Sequence, residues 1–164
     1  MNRMEEARQE LAAAEKVVGG DSSDPSSRSR SSSAPYLEGL RGEILLRSGP
    51  RAEGSAMLRE VERKIRAVPG PDAWIQALFR LEGIAQLARE VGDWELAEFT
   101  ARQMLEHDSA YAGTHYALAL VAEHKKDSAA ARRKFAQAEK LWAKADPDLE
   151  ELTRIRQKLA LLRE

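Results

Sequence analysis

The chain contains no cysteine. Disulfides, thiolate metal sites and a cysteine nucleophile are therefore excluded, although that absence does not decide the compartment. Aromatic residues are scarce, at 5% of 164 residues, while alanine is abundant. That balance favours helices packed closely through small side chains over a β-sandwich. Neither sign of charge dominates, since 26 basic side chains stand against 27 acidic ones. A broad footprint for nucleic acid or an anionic membrane needs a basic excess on one face, so neither partner is expected. No apolar run approaches the roughly eighteen residues of a membrane span. Glu5 and Glu6 stand where a secretory signal would carry its apolar core. A cytoplasmic location is the default expectation. The length suits a domain with a real core.

Signatures of chemistry are also missing. There is no phosphate loop, no dinucleotide glycine fingerprint and no HExxH. His115 and His124 are nine residues apart, which sets them on opposite faces of one helix, and His107 stands alone. Neither a metal nor a cofactor is expected. Glu5-Glu6 and Glu150-Glu151 are sequence neighbours that point in different directions on helices, so they make solvated faces rather than an acid/base pair. The serines cluster in a segment with no scaffold to orient a base beside them. The short basic run at Ala131–Phe135 has acidic neighbours and reads as a solvated helix face. No enzyme activity is expected.

What the chain does carry is helical periodicity. Ala7, Leu11, Ala14 and Val18 predict a helix over Met4 to about Val18, within a leading segment 1–18 that Gly19-Gly20 closes. Residues 19–35 are mostly serine with no apolar anchor and predict a flexible linker. Its arginine-serine run could accept phosphate, but a solvated linker is the simpler expectation. A helical domain then spans 36–164. Leu37, Leu40, Ile44 and Leu45 mark one helix, ended by Ser48-Gly49-Pro50. Leu58, Val61, Ile65 and Val68 mark the next, ended by Pro69-Gly70-Pro71. Asp72 is placed to cap a third, whose inward stripe is Trp74, Leu78, Leu81, Ala85, Ala88 and Val91. A fourth follows Asp93 with Trp94, Ala97, Ala101, Met104 and Leu105 inward. A fifth covers about Ala112 to Lys125, and a sixth Ser128 to about Lys144 with Ala131, Phe135, Ala138 and Leu141 inward. Asp146-Pro147 is expected to open a terminal capping helix, 146–164, with Leu149, Leu152, Ile155, Leu159 and Leu162 on one side.

One stretch returns. "REVGDWELAEFTARQML", Arg89 to Leu105, recurs thirty-four residues later as "EHKKDSAAARRKFAQAE", Glu123 to Glu139. Gly92 suits the left-handed residue closing one helix, and Asp93 can accept the free amide hydrogens opening the next. A two-helix hairpin cannot bury its own apolar face and needs a stacked copy, so a fixed interval follows.

An interval of thirty-four with these residues resembles the tetratricopeptide repeat family. Leu118-Ala119 is similar to that family's leucine-glycine pair, and Ala131, Phe135 and Ala138 to its alanine, aromatic and alanine. Ile84-Ala85, Gly92-Asp93, Trp94 and Ala97 hold the same places one unit earlier, and Gly42 with Gly49 fits a first hairpin. Departures are His115 and Leu81 for an aromatic, Ala122 and Ala88 for tyrosine, Ser109 and Ala143 for proline, and Lys126 for the turn glycine. The resemblance covers about Tyr36 to Ala145. It implies an all-α fold of antiparallel helix-hairpin repeats, an α-solenoid with a degenerate array and a distorted first junction. The leading helix then looks like the second half of a preceding unit, as in a piece of a longer protein. The resemblance further implies a protein–protein interaction scaffold or adaptor whose concave face takes a peptide or partner domain. Carried over position by position, that face comprises Glu43, Arg47, Phe79, Glu82, Gln86, Arg89, Tyr116, Leu120 and Glu123. The carboxylate clamp of some members is absent, so neutral or basic peptides are expected. The alternative is self-association, as an oligomerisation or regulatory module of a larger protein or enzyme.

Overall fold

A computed structural model describes residues 3–18, 27–70 and 72–162. Among them are eight helices and no strand, so the fold is all-α. The chain divides into two compact units, Met1–Arg80 and Leu81–Glu164. The boundary falls inside one helix, where nothing in the composition marks it.

The first unit holds α1 (Arg3–Val18), α2 (Ser27–Ser48), α3 (Arg51–Arg66) and the first half of α4 (Ala73–Val91). α1 carries Glu5 and Glu6 in its first turn and Lys16 in its last, each sign at the end of the helix dipole that favours it. It packs on α2, to which Arg8 donates at Ser48 and Arg41 pairs with Glu15. α2 and α3 meet backbone to backbone. A Cβ on Gly54 would come within 2.6 Å of the Leu46 amide nitrogen and 2.9 Å of the Gly42 carbonyl oxygen. Only glycine permits that approach. The turn between them uses Gly49-Pro50 without a left-handed residue, and Pro50 precedes a helix start, where its missing N–H costs nothing. Val61, Ile65 and Ala77 form one buried cluster of this unit with Tyr36 and Met57 against them, and Leu46, Leu58 and Leu78 are fully buried as well.

The second unit holds the rest of α4, then α5 (Trp94–His107), α6 (Ala112–His124), α7 (Ser128–Leu141) and α8 (Glu150–Leu161). Its two tight turns are built alike. Gly92 and Lys126 both have positive φ, 81° and 61°. The next amide reaches back five residues, Asp93 to the Ala88 carbonyl at 2.8 Å and Asp127 to the Ala122 carbonyl at 3.0 Å. Each aspartate side chain then accepts from the third amide of the following helix, Leu96 or Ala130, at 2.9 Å. A helix stop and a helix start are thus fused into two residues. Three buried pairs of small residues also recur, each twelve residues apart: Gly42 and Gly54, Ala85 and Ala97, Ala119 and Ala131. The last pair shares a core with Phe135, Ala138, Ile155 and Leu159.

Four expectations need correction. α2 begins at Ser27, so part of the segment expected as linker is helical; residues 19–26 lie outside the described residues. Helix growth from an anchored segment adds one hydrogen bond per residue, which lets serines join it. Pro35 lies inside that helix and withholds one such bond. Trp74 is 51% exposed, because α4 meets the core only from Ala77 onward. Leu141 is 40% exposed, and Trp142 packs on the core instead. The last helix opens at Glu150, since the Asp146 side chain accepts from Asp148 and closes a separate turn first.

Candidate functional site

The nine residues expected on a concave face divide between the two units. In the first, Arg80 donates to Glu43 at 2.7 Å, which engages that carboxylate. Arg47 is exposed, and Phe79 is 57% exposed.

In the second unit, three helices contribute to one polar layer. Glu82, Gln86 and Arg89 follow each other on α4 at spacings of four and three, which places them on one face. Tyr111, just before α6, donates its hydroxyl to Glu82 at 2.7 Å. Burial, and then that bond, push the Tyr111 phenol well above its ordinary range. At the other end of α6, Lys158 of α8 donates to Glu123. Arg154 of α8 donates to Glu150 on its own helix at 3.3 Å, and Tyr116 and Glu150 raise its guanidinium above its ordinary value. α4 is thereby tied to the start of α6, and the end of α6 to α8.

Arg89 lies largely inside this layer, and one of its guanidinium nitrogens, Nη1, is buried with no hydrogen-bond partner. Burial lowers its pKa, with Tyr116 and Glu82 acting the other way. An arginine keeps its proton under such pressure, so a charge remains among these helices. Gln86 is exposed and donates to Glu90 on its own helix, leaving its carbonyl oxygen as an outward acceptor. Leu120 is half-buried.

Tyr116 is the residue whose expected place changes most. It is 8% exposed and packs in the core, its ring 6.2 Å from that of Phe135 and 5.9 Å from that of Trp142. An aromatic ring that close to two others stays with them, since burial there is worth more than an open face. Glu82 and Glu123 are also structural ties rather than free carboxylates. Sequence reasoning missed Tyr111 as Glu82's partner and Lys158 as Glu123's. These pairings span 29 and 35 residues, and no local period reports them.

Two of the three histidines have defined surroundings. His115 is buried with Nε2 2.8 Å from the Ser109 carbonyl, and His124 stacks on Trp94 at 4.0 Å between ring centres. Among the described residues no three His, Asp or Glu side chains gather as a metal site, and no helix is long and apolar enough to cross a membrane. No family model, curated protein or solved structure matches the chain.

Proposed function

We propose that α4/α5 and α6/α7 are repeat hairpins of the tetratricopeptide type, with α8 as their cap, and that the chain is a non-catalytic protein-binding scaffold or adaptor. The recurrence of one hydrogen-bonded turn at Gly92-Asp93 and Lys126-Asp127 carries this reading. The matching small pairs, Ala85 with Ala97 and Ala119 with Ala131, support it. In such hairpins the first helices share a face, and the ties from α4 to α6 to α8 are consistent with that. The face of the second unit then takes an extended peptide across Glu82, Gln86, Arg89, Leu120 and Glu123. The outward carbonyl oxygen of Gln86 favours sequences that donate a hydrogen bond there.

A peptide array probed with the full chain tests the reading. Gln86→Ala and Gln86→Lys are the informative variants, because Gln86 is exposed and bonds only within its own helix. Tyr116→Ala is unsuitable, since losing a core aromatic costs about 3–5 kcal/mol. Binding of selected peptides should fall in both variants. Binding that persists unchanged in both would place the site elsewhere.

A further inference from the structure

The outward face of α7 carries charge of one sign. Arg132, Arg133, Lys134 and Lys140 stand against a single acid, Glu139, in this helix. Arg132, Arg133 and Lys140 are exposed, and none of the four cations makes an ion pair among the described residues. Glu139 pairs with Arg156 of α8 at 3.5 Å. Asp127 and Asp146, which flank the helix, accept from the Ala130 and Asp148 amides. Packing does not demand this charge. Thirty-four residues earlier, α5 buries Ala97, Ala101 and Met104 where α7 buries Ala131, Phe135 and Ala138. Yet α5 has Glu98 and Glu106 where α7 has Arg132 and Lys140. The same inward contacts thus tolerate either sign outside. Arg133, Gln137 and Lys140 follow at spacings of four and three, on one face. Ala136, Gln137, Lys140 and Leu141 line an open depression of about 470 Å³. Ala136 is exposed and Leu141 is 40% exposed.

We propose that this face docks an acidic segment of a partner protein. One carboxylate meets Arg133 and another meets Lys140, about 10 Å further along the helix. An aliphatic side chain of the segment fills the depression at Ala136 and Leu141. Cations with no acid of their own unit on them are complementary to such a segment, and charge of this kind sets orientation and on-rate. Arg133 adds a fork that holds a carboxylate through two hydrogen bonds. A nucleic acid fits the face less well. Single strands are held by stacking on exposed rings, and Trp142, at the end of α7, packs on the core instead. Beyond α7 the chain has more acidic than basic side chains, so a long polyanion would be repelled there. No residue of this face belongs to the face proposed for an extended peptide, so the two stand or fall separately.

The probe is a fluorescent peptide of about eighteen residues, built from Glu, Ala and Leu with paired glutamates flanking each leucine at helical spacing. A second peptide has Gln for Glu, and a single-stranded oligothymidine is the third ligand. Anisotropy titrations use the full chain and the variants Arg133→Glu, Lys140→Glu, both together, and Lys16→Glu, which reverses an exposed cation of α1. The Glu peptide is expected to bind, about three-fold more weakly to each single variant and about ten-fold more weakly to the double one. Lys16→Glu should leave that binding unchanged, and the Gln peptide should bind less tightly than the Glu peptide. Thermal melting checks each fold, and if the double variant melts low, Arg133→Gln with Lys140→Gln decides. A Glu peptide that does not bind, that binds the double variant unchanged, or that is lost as far in Lys16→Glu overturns the proposal. So does a Gln peptide that binds as well, or an oligothymidine that binds more tightly than the Glu peptide. So does a dimer of the full chain that the double change converts to monomer, because a second copy then occupies the face.

Discussion

Lys126 holds, at φ 61°, the turn position that Gly92 holds at φ 81° thirty-four residues earlier. Both residues donate to a carbonyl three residues back, Glu123 at 2.9 Å and Arg89 at 3.2 Å. The turn is therefore kept while its glycine is not. A side chain in left-handed geometry costs about 1–2 kcal/mol, partly offset because glycine has a freer unfolded chain. Lys126→Gly should stabilise the protein by up to about 1 kcal/mol. Gly92→Ala should destabilise it by a similar amount. Urea denaturation measures both, and a less stable Lys126→Gly variant would show that the lysine side chain matters to the fold.

Ala131 is fully buried beside Ala119 and Phe135, whereas Ala129, two residues earlier, is exposed. Ala131→Leu should cost about 1–3 kcal/mol by overpacking. Ala129→Leu should stay within about 0.5 kcal/mol. Equal melting temperatures for the two variants would contradict the small-residue contact between α6 and α7.

The Tyr111 phenol is pushed above its ordinary value, first by burial and then by its bond to Glu82. A raised value means that the folded state favours the neutral phenol. Its contribution is fully present below a pH of about 10 and is lost as pH rises beyond that. Stability should therefore fall more steeply above pH ~10 in the unmodified chain than in Tyr111→Phe. Denaturant midpoints taken across that range test this, and parallel slopes would contradict it.

The helices were legible because their apolar stripes and stops are local signals. Gly92-Asp93 and Asp127 announced two turns, and the thirty-four-residue return announced that they would match. The first unit was harder to read. Gly42 was seen as a small contact residue, but its counterpart Gly54 was not, because a glycine twelve residues away in another helix leaves no periodic trace. The candidate face was legible only as positions. Which of them stay open depends on long-range partners: Tyr111 engages Glu82, Lys158 engages Glu123, and Phe135 with Trp142 draws Tyr116 inward.

α2 extends from Ser27, yet Pro35 interrupts its hydrogen-bond ladder. Proline inside a helix costs about 3 kcal/mol. The turns before it are joined to the packed part, around buried Gly39, Gly42 and Leu46, by a weakened link. Amide hydrogen exchange should show strong protection around Leu46 and much weaker protection from Ser27 to Ala34. Comparable protection on both sides of Pro35 would mean that the early turns are anchored by more than their own helix.

α8 closes the core of the second unit. Leu152, Ile155 and Leu159 are buried, and Ile155 and Leu159 lie in the cluster around Phe135 and Ala138. Two ion pairs flank the contact, Lys158 with Glu123 and Arg156 with Glu139 at 3.5 Å. Exposed pairs of this kind are worth at most about 1 kcal/mol each, so the aliphatic side chains must supply most of the attachment. Each is worth about 1.5–3 kcal/mol before entropy. A twelve-residue helix is marginal alone in water, so α8 owes its form to this contact. The same stripe could seat a coiled-coil partner, but it is about two heptads long and already faces its own core. Truncation after Ala145 should therefore expose Phe135, Ala138 and Trp142 and give a chain that melts much lower or aggregates. Ile155→Ala should lower stability by about 2–5 kcal/mol without changing oligomeric state. Thermal melting and light scattering on both proteins give the test: a truncated chain that stays monomeric with unchanged stability removes the capping role.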